Sequence, residues 1–457
     1  MTKNRDAALA YAKENKDRFL DELIELVKIP SISTEPKYKN DVKAAADWAA
    51  AKLKNIGMEN IQILETGGHP VVFAENHSAG ESAPTVTIYG HYDVQPSDPD
   101  ELWKSPAFEP VVKGDRLYGR GASDMKGQVM ASIHAVDAVM KSGGLPVNVK
   151  FFLEGEEEVG SINLSAFIDK HKELLACDFA LNPDGGMLRE DLPTIVYALR
   201  GLVYLEIRMT GPEHDLHSGM YGGTVINPAN ELARLIGTMH DEQGRVTIPG
   251  FYNKVRELDE DERKELARQP KDPAFYMEQT GSPALWGEKG YTPFEQASAR
   301  PTLDVNGFLS GFIGEGSKTV LPSKSMAKVS MRLVPDQDPA EIKALFEKYL
   351  KDNARPGVTW EVIDHSMTPP SISERDSAGI QALAKGLETV WGVKPVFSRV
   401  GGSIPVVADM QSKMGVESVL TGFGLPDDNL HAPNEKLSLP TWYKGIDALI
   451  HFFYNLA

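Results

Sequence analysis

The stretch TVTIYGHYD, residues 85–93, decides the fold class, because an apolar, β-branched run ends there in polar side chains. It predicts a buried strand over 85–89, with His91 and Asp93 where that strand ends. After this strand, the sequence predicts a helix over about 125–141 and two further strands over about 147–153 and 179–182. Strands alternating with helices predict an α/β sheet. Ligands of such sheets bind at the carboxyl ends of the strands, so we expect the functional site at this edge.

The alternation changes near residue 199, which indicates a second domain. Predicted strands and proline-initiated helices follow there in a new order: 203–209, a helix opened by Asn227-Pro228, 326–334, a helix opened by Asp338-Pro339, and 358–363. Residues 367–370, MTPP, predict a stiff, extended linker that leads the chain back to the first domain. We therefore predict a catalytic α/β domain with a central mixed sheet over 1–198 and 370–457, interrupted by an α+β, ferredoxin-like domain over 199–369.

Composition and charge exclude several classes of partner. The 457 residues carry a net charge of −17, which repels phosphate backbones and anionic membranes, so we expect neither nucleic acid nor a membrane as partner. Cys177 is the single cysteine and cannot form an internal disulfide. The N-terminal residues lack an apolar signal region, and no stretch approaches 18 uninterrupted apolar residues. These features predict a cytoplasmic protein.

Histidines and carboxylates recur after the predicted strands and in the turns between elements. Besides His91, they are Asp124 in GRGASDMKG (119–127), Asp184 in LNPDGG (181–186) and His431 in HAPNEKL (431–437). Each has a structural alternative: alone, Asp124 is read as a helix N-cap and His91 as a core histidine. Asp93 can accept the second ring N–H of His91 and so fix the tautomer of a metal-bound imidazole.

The segment LEGEEEVGS, residues 153–161, places four carboxylates directly after an apolar strand. Such a cluster is costly unless positive charge lies beside it, and the alternative of an acidic surface loop fits poorly with the glycines and the apolar run that precedes it. In a two-metal site, one glutamate binds an ion while its neighbour acts as general base. Two histidines and three carboxylates suit two divalent ions about 3.5–4 Å apart that share one aspartate. Ligands without thiolates suit zinc, manganese or cobalt, with zinc expected first and manganese as the alternative.

Taken in order, the motifs resemble those of the dinuclear-metal aminoacylase and carnosinase superfamily of metallopeptidases, on its cytosolic non-specific dipeptidase branch. The resemblance covers most of the chain. It rests on GHYDVQP (90–96) with Trp103 and Phe108, GRGASDMKG (119–127), EGEEEVGS (154–161), DLHSGMYGG (215–223), RLVP (332–335), GGSIP (401–405) and HAPNEKL (431–437).

The resemblance implies a role for each residue of the first domain's site. The implied metal ligands are His91, Asp124 and Asp184 for one ion, and Asp124, Glu158 and His431 for the other. Glu157 is the implied general base, and Asp93 orients His91. The resemblance also implies a cis peptide between Asp124 and Met125.

For the second domain, the resemblance implies a lid that forms a homodimer. His217 is expected to reach the partner subunit's site and stabilise the tetrahedral oxyanion. Arg332 is expected to bind the substrate carboxylate, and Thr319 and Ser403 to line the same pocket. The alternatives are a stray metal site made by His214 and His217, and a surface ion pair at Arg332.

The predicted function is hydrolysis of dipeptides or very short peptides by a water that bridges two divalent ions. Three departures from the dipeptidase pattern, at DMKG (124–127), Glu156 and Gly185-Gly186, keep an N-acyl amino acid deacylase of the same superfamily as the alternative. A catalytically inactive relative that binds peptides is a third hypothesis. The presence of all five ligands and of Glu157 argues against it.

Overall fold

The computed structural model describes residues 2–457 and divides into two compact units. The first unit contains the chain up to Tyr197, together with Ser373–Ser398 and Pro405–Ala457. The second contains Ala198–Ile372 and Arg399–Ile404. The short segment Arg399–Ile404 differs from the predicted division, which placed it in the first domain. It belongs to the second unit because Arg399 pairs there with Glu262 and because the Val400 carbonyl accepts a hydrogen bond from the Arg200 amide.

The chain up to the second unit forms helices and strands in alternation. Its helices are α1 (Thr2–Glu14), α2 (Lys16–Val27), α3 (Lys39–Ile56), α4 (Lys126–Lys141), α5 (Leu164–Lys170) and α6 (Lys172–Leu175), with 3-10 helices at Pro36–Tyr38, Asp100–Leu102 and Glu157–Val159. Its strands are β1 (Glu59–Leu64), β2 (Val71–Asn76), β3 (Thr85–His91), β4 (Val111–Lys113), β5 (Arg116–Tyr118), β6 (Asn148–Glu154), β7 (Phe179–Asn182) and β8 (Thr194–Leu199). The helix and strands predicted around residues 85–93 are confirmed.

The remaining elements complete both units. They are β9 (Gly201–Thr210), β10 (Leu216–His217), α7 (Ser218–Tyr221), α8 (Pro228–Gly237), α9 (Glu260–Leu266), α10 (Pro273–Thr280), α11 (Pro293–Ser298), β11 (Thr302–Ser310), β12 (Val320–Leu321), β13 (Lys324–Leu333), α12 (Pro339–Asn353), β14 (Thr359–Thr368), β15 (Ser371–Ile372), α13 (Ala378–Trp391), β16 (Val396–Val400), α14 (Pro405–Met414), β17 (Glu417–Leu420), β18 (Lys436–Ser438) and α15 (Leu439–Leu456). None of the helices formed by residues 2–457 is both long and apolar enough to cross a membrane.

A mixed sheet forms the centre of the first unit, in the strand order β1-β2-β6-β3-β7-β17-β8. Strand β3 runs parallel to both β6 and β7, and β17 runs parallel to β7. All seven residues of β6 are buried, as expected for a strand covered on both faces. Helix α4 is also buried along nearly its whole length, which accounts for its apolar sequence. The predicted α/β fold class with a mixed central sheet is confirmed.

The second unit contains a four-stranded antiparallel sheet in the order β11-β13-β9-β14. Along β13, the side chains at 327, 329, 331 and 333 are buried, whereas Arg332 and the other members of its face are half-buried. Helices α8 and α12 begin where predicted, because the side chains of Asn227 and Asp338 cap their first turns and a proline follows each. Apolar residues of both helices join one buried face of the sheet in a single core.

Candidate metal centre

Strand ends bring the predicted ligands of the first unit to one edge of the mixed sheet. β3 ends at His91, β6 ends at Glu154 just before Glu157 and Glu158, and β7 ends at Asn182 just before Asp184. Because these three strands are parallel neighbours, their carboxyl ends lie side by side. The candidate ligands of the first unit therefore lie at the edge of the sheet where the sequence predicts them.

The first cluster consists of His91, Asp124 and Asp184, which can each offer one atom within 4.8 Å of the others. His91 is buried, and its Nε2 lies 3.3 Å from Asp124 Oδ1. That Nε2 atom has no hydrogen-bond partner. A buried polar atom without a partner is costly, and a cation held between the three residues would satisfy it.

The second cluster consists of Asp124, Glu158 and His431, again with one atom of each within 4.8 Å of the others. His431 Nε2 lies 2.9 Å from Asp124 Oδ2 and 3.3 Å from Glu158 Oε2. Asp124 thus belongs to both clusters, with one carboxylate oxygen toward each histidine. This is the arrangement that two neighbouring ions with one shared carboxylate require. The peptide between Asp124 and Met125 is cis.

Burial and, after it, the closeness of other carboxylates shift the pKa values of the ligands in the two clusters. Burial, with the neighbouring carboxylates, raises the pKa of Asp184 to about 8, and burial raises that of Glu158 to about 7. Asp124 differs: although burial opposes it, the hydrogen bond from His431 and the nearby ring of His91 lower its pKa well below the usual range. The same bond to Asp124 raises the pKa of His431 to about 9. Added cations would relieve this repulsion.

Metal binding is accordingly expected to strengthen as the pH rises toward 8. At pH 7 the Asp184 carboxyl, with a pKa of about 8, still holds a proton that a cation must displace. Below pH 8 the affinity should rise by at least about tenfold per pH unit, one proton being released per ion bound. Competition with a chelator of known pH dependence at pH 6, 7 and 8 measures this slope. A flat profile would show that neither Asp184 nor His431 gives up a proton to the metal.

Asp93 connects the first cluster to the glutamate segment. His91 Nδ1 lies 3.0 Å from the Asp93 backbone carbonyl and 3.4 Å from its carboxylate Oδ1, so the carbonyl is the nearer acceptor. The fully buried carboxylate also accepts hydrogen bonds from the Ser33 hydroxyl at 2.6 Å and from the backbone N–H groups of Glu157 at 3.3 Å and Glu158 at 3.1 Å. Asp93 therefore holds the imidazole chiefly through its backbone carbonyl, and its carboxylate fixes the segment that carries the two glutamates.

Glu157 lies beside the clusters but belongs to neither. It opens the 3-10 helix Glu157–Val159, and its side chain is half-buried. Burial raises the pKa of its carboxyl, and the nearby carboxylates of Asp93 and Asp124 act in the same direction. A carboxyl group that lies next to the clusters with a raised pKa is suited to accept and release a proton.

Glu435 is a component of the site for which the sequence predicts no role, although it stands inside the HAPNEKL motif. It is fully buried four residues after His431. Its carboxylate accepts hydrogen bonds from four donors: the backbone N–H groups of Gly121 at 2.9 Å, Ser123 at 2.9 Å and Asp124 at 3.0 Å, and Arg120 Nη1 at 2.8 Å. It thus ties the loop that carries Asp124 to the segment that carries His431.

Comparison with known proteins identifies the family. The model of peptidase family M20/M25/M40 matches residues 87–455. The chain belongs to this family. The Cys-Gly metallodipeptidase DUG1 of Candida albicans is 30% identical over 465 residues, covering 96% of each chain. The human Beta-Ala-His dipeptidase is 30% identical, covering 98% of this chain and 92% of the relative.

A solved structure extends the comparison to the fold. The M20 family metallo-carboxypeptidase Sso-CP2 from Sulfolobus solfataricus is 35% identical with a TM-score of 0.80, covering 96% of this chain and 99% of that one. Together with the two dipeptidases, it confirms the predicted enzyme class, a metallopeptidase that resembles the dipeptidase branch.

In the second unit of this peptidase, the predicted residues lie at two places: His217 and Thr319 on neighbouring segments, and Arg332 in contact with Ser403. His217 is exposed in β10, which pairs with β12, and the Ser218 amide donates to the Thr319 carbonyl at 3.0 Å. Arg332 Nη1 donates to Ser403 Oγ at 3.4 Å. The alternative metal site at His214 and His217 finds no support among the described residues, since neither histidine belongs to a group of three possible ligands.

Arg332 also lines a cavity of about 670 Å³ within the second unit, together with Arg200. Burial, and then the nearby charge of Arg332, lower the pKa of Arg200 to about 10. No carboxylate of the described residues forms an ion pair with Arg332, so the alternative of a surface ion pair is not observed. An anion from outside the chain could complete the coordination of its guanidinium.

Proposed function

We propose that this peptidase hydrolyses dipeptides or very short peptides with two divalent ions held by the two clusters that share Asp124. The observation that carries the proposal is this shared carboxylate, flanked by one histidine on each side. The unpartnered Nε2 of His91 supports a cation there. Nitrogen and oxygen ligands fit zinc first and manganese as the alternative.

The chain's own residues then divide the chemistry. When bound, two divalent ions supply the Lewis acidity that activates a water and polarises the scissile carbonyl. Glu157 accepts the proton of the attacking water and returns it to the nitrogen of the leaving amine. Asp93 keeps His91 in one orientation and holds the backbone of Glu157 in place, so the base stays beside the ligands.

Two substrate classes compete with dipeptides. The 35% identity to the Sulfolobus metallo-carboxypeptidase favours removal of C-terminal residues from longer peptides as the second candidate. The DMKG motif at 124–127 keeps N-acyl amino acids as the third. The family's dipeptidase members, which match over more than nine-tenths of the chain, support dipeptides as the first choice.

A substrate panel on zinc- or manganese-loaded protein separates these classes. It contains Cys-Gly, β-Ala-His, an unblocked tetrapeptide, and N-acetyl and N-succinyl amino acids. We expect metal-dependent cleavage of the dipeptides, with little turnover of the other substrates. Faster cleavage of the tetrapeptide from its C-terminus would establish a carboxypeptidase, and cleavage of the N-acyl substrates alone a deacylase. No turnover of any substrate at full metal loading would favour the inactive, peptide-binding relative.

Arg332 is proposed to bind the substrate's C-terminal carboxylate. Its half-buried guanidinium offers a planar fork of donors and contacts the Ser403 hydroxyl. Arg332→Ala should therefore raise KM for a dipeptide by about 10- to 100-fold, the worth of a hydrogen-bonded charge, and change kcat much less. Steady-state kinetics on the dipeptide and its C-terminal amide measure this. Equal losses on both substrates would refute carboxylate binding.

His217 is proposed to serve the partner subunit's site in a homodimer. Its ring is exposed in the second unit, which leaves it accessible to another chain. If it acts across the dimer, inactive His217→Ala subunits mixed with inactive Glu157→Gln subunits should regain about a quarter of wild-type activity, because half the dimers are mixed and each has one intact site. Light scattering verifies the dimer. A mixture without any regained activity would place His217 outside catalysis in trans.

The cytoplasm is the proposed location. The net charge of −17 disfavours binding to anionic membranes. The single Cys177 cannot form an internal disulfide, so the fold does not depend on an oxidising compartment. Fractionation of cells with an antibody against the untagged protein tests the location directly.

A further inference from the structure

A buried carboxylate stands out in the most highly charged segment of the second unit. The run RELDEDERKELARQPK, residues 256–271, mixes both charges at helical spacing and predicts a solvated helix. Helix α9 forms there, and the side chains of Glu260 and Asp261 are 87% exposed. Glu262 is only 8% exposed. Burying this carboxylate without a partner would cost free energy, so we expect a positively charged group beside it.

Glu262 is paired with Arg399, which is itself 3% exposed. Arg399 Nε donates to Glu262 Oε1 at 2.8 Å, and Nη2 donates to the same oxygen. The helix that presents Glu262 is fixed at both ends. Asp259 caps its first turn, and Leu266 packs in a small apolar cluster with Phe294. The ion pair therefore fixes the position of Arg399, the first residue of the segment Arg399–Ile404.

The rest of the segment Arg399–Ile404 is held by Arg200. The Arg200 amide donates to the Val400 carbonyl at 3.1 Å, and its Nε donates to the Gly401 carbonyl at 3.2 Å. The Ser403 hydroxyl in turn donates to the Arg200 carbonyl. Gly401 packs so closely that an added Cβ would lie 2.5 Å from the Ala297 carbonyl oxygen. The backbone has little freedom between the ion pair and Ser403.

This series of contacts ends at Arg332, the proposed binding site of the substrate carboxylate. Ser403 Oγ accepts a hydrogen bond from Arg332 Nη1, so the position of residues 399–404 decides where the hydroxyl stands beside the guanidinium. We propose that Glu262, through its buried ion pair with Arg399, is a positioning residue that sets Ser403 against Arg332 for recognition of the substrate's C-terminal carboxylate. The inference rests on the proposed roles of Arg332 and Ser403.

A purely structural role for the ion pair predicts a different result from a positioning role. Breaking a buried pair leaves the other charge uncompensated, which destabilises the fold and lowers the activity toward every substrate alike. Displacement of Ser403 instead weakens only those substrates that carry the carboxylate. The ratio of kcat/KM for a dipeptide to kcat/KM for its C-terminal amide therefore separates the two roles.

The experiment compares Glu262→Gln with Glu260→Gln, an exposed glutamate on the same helix, in the full-length metal-loaded enzyme. We expect Glu262→Gln to raise KM for the dipeptide about tenfold, the worth of one charge-assisted hydrogen bond, with kcat within about twofold of wild type. The amide should be cleaved as by wild type, so the ratio falls about tenfold. Glu260→Gln should match wild type on both substrates.

Other outcomes overturn the inference. An unchanged ratio in Glu262→Gln, whether activity is lost equally on both substrates or not lost at all, would reduce the ion pair to a structural role. If that variant does not fold, Arg399→Lys keeps the positive charge but loses the guanidinium fork, and the same fall in the ratio is required of it. Wild-type enzyme that leaves the dipeptide uncleaved would refute the proposed function instead, independently of Glu262.

Discussion

Replacement of Glu157 by glutamine is expected to lower kcat by about 10³-fold, because general acid–base catalysis contributes about 10²- to 10⁴-fold and an amide cannot accept the proton. The side chain lies beside the ligand clusters without joining them. The variant should therefore bind as many ions as the wild type. Steady-state kinetics and the metal content by mass spectrometry measure the two properties on the same sample.

Glu158→Gln is the matched comparison, since it removes the neighbouring carboxylate of the same segment. Glu158 belongs to the second cluster with Asp124 and His431, so this variant should lose an ion as well as activity. The two glutamates would exchange their proposed roles if Glu157→Gln lost metal and Glu158→Gln kept it. Near-normal turnover by Glu157→Gln would remove it as the base.

The second large effect is expected at Glu435. Glu435→Gln weakens the acceptor for three backbone N–H groups and leaves the buried Arg120 without its carboxylate. Breaking a buried ion pair costs about 3–5 kcal/mol, so, at an unfolding entropy of about 2.1 cal/mol/K per residue, the melting temperature should fall by roughly 3–5 °C for a chain of this size. The loop that carries Asp124 should also lose its fixed position, which should weaken metal binding by about 10- to 100-fold.

Thermal unfolding and chelator competition measure these two effects. Glu109→Gln is the control, because Glu109 is exposed in the same unit. It should unfold and bind metal as the wild type does. A Glu435→Gln variant with unaltered metal affinity would show that the Asp124 loop keeps its position without this carboxylate.

The sequence predicts the place of the site because its signals are local. An apolar run that ends in His91, or in the glutamates after β6, marks a strand and its carboxyl end within a few residues. Parallel order then brings these ends together without further information. The shared position of Asp124 follows from the resemblance to a metallopeptidase superfamily, and the structure brings its two oxygens toward the two histidines.

The contacts that fix the site were beyond prediction because they join distant parts of the chain. Glu435 binds the loop at 121–124 across more than 300 residues, and nothing at position 435 alone marks a buried acid. Glu262 follows a charged helical pattern whose exposed neighbours hide its burial. For the same reason the predicted domain boundary missed residues 399–404, whose place depends on that ion pair.

Titration of metal-free enzyme with zinc or manganese, followed by Cys-Gly hydrolysis and bound metal on the same samples, tests the two-ion site most directly. The two clusters that share Asp124 predict that activity reaches its maximum at two ions per chain and that Asp124→Asn binds neither ion tightly. Full activity at one ion per chain, activity in the metal-free enzyme, or two tightly bound ions in Asp124→Asn would contradict the account.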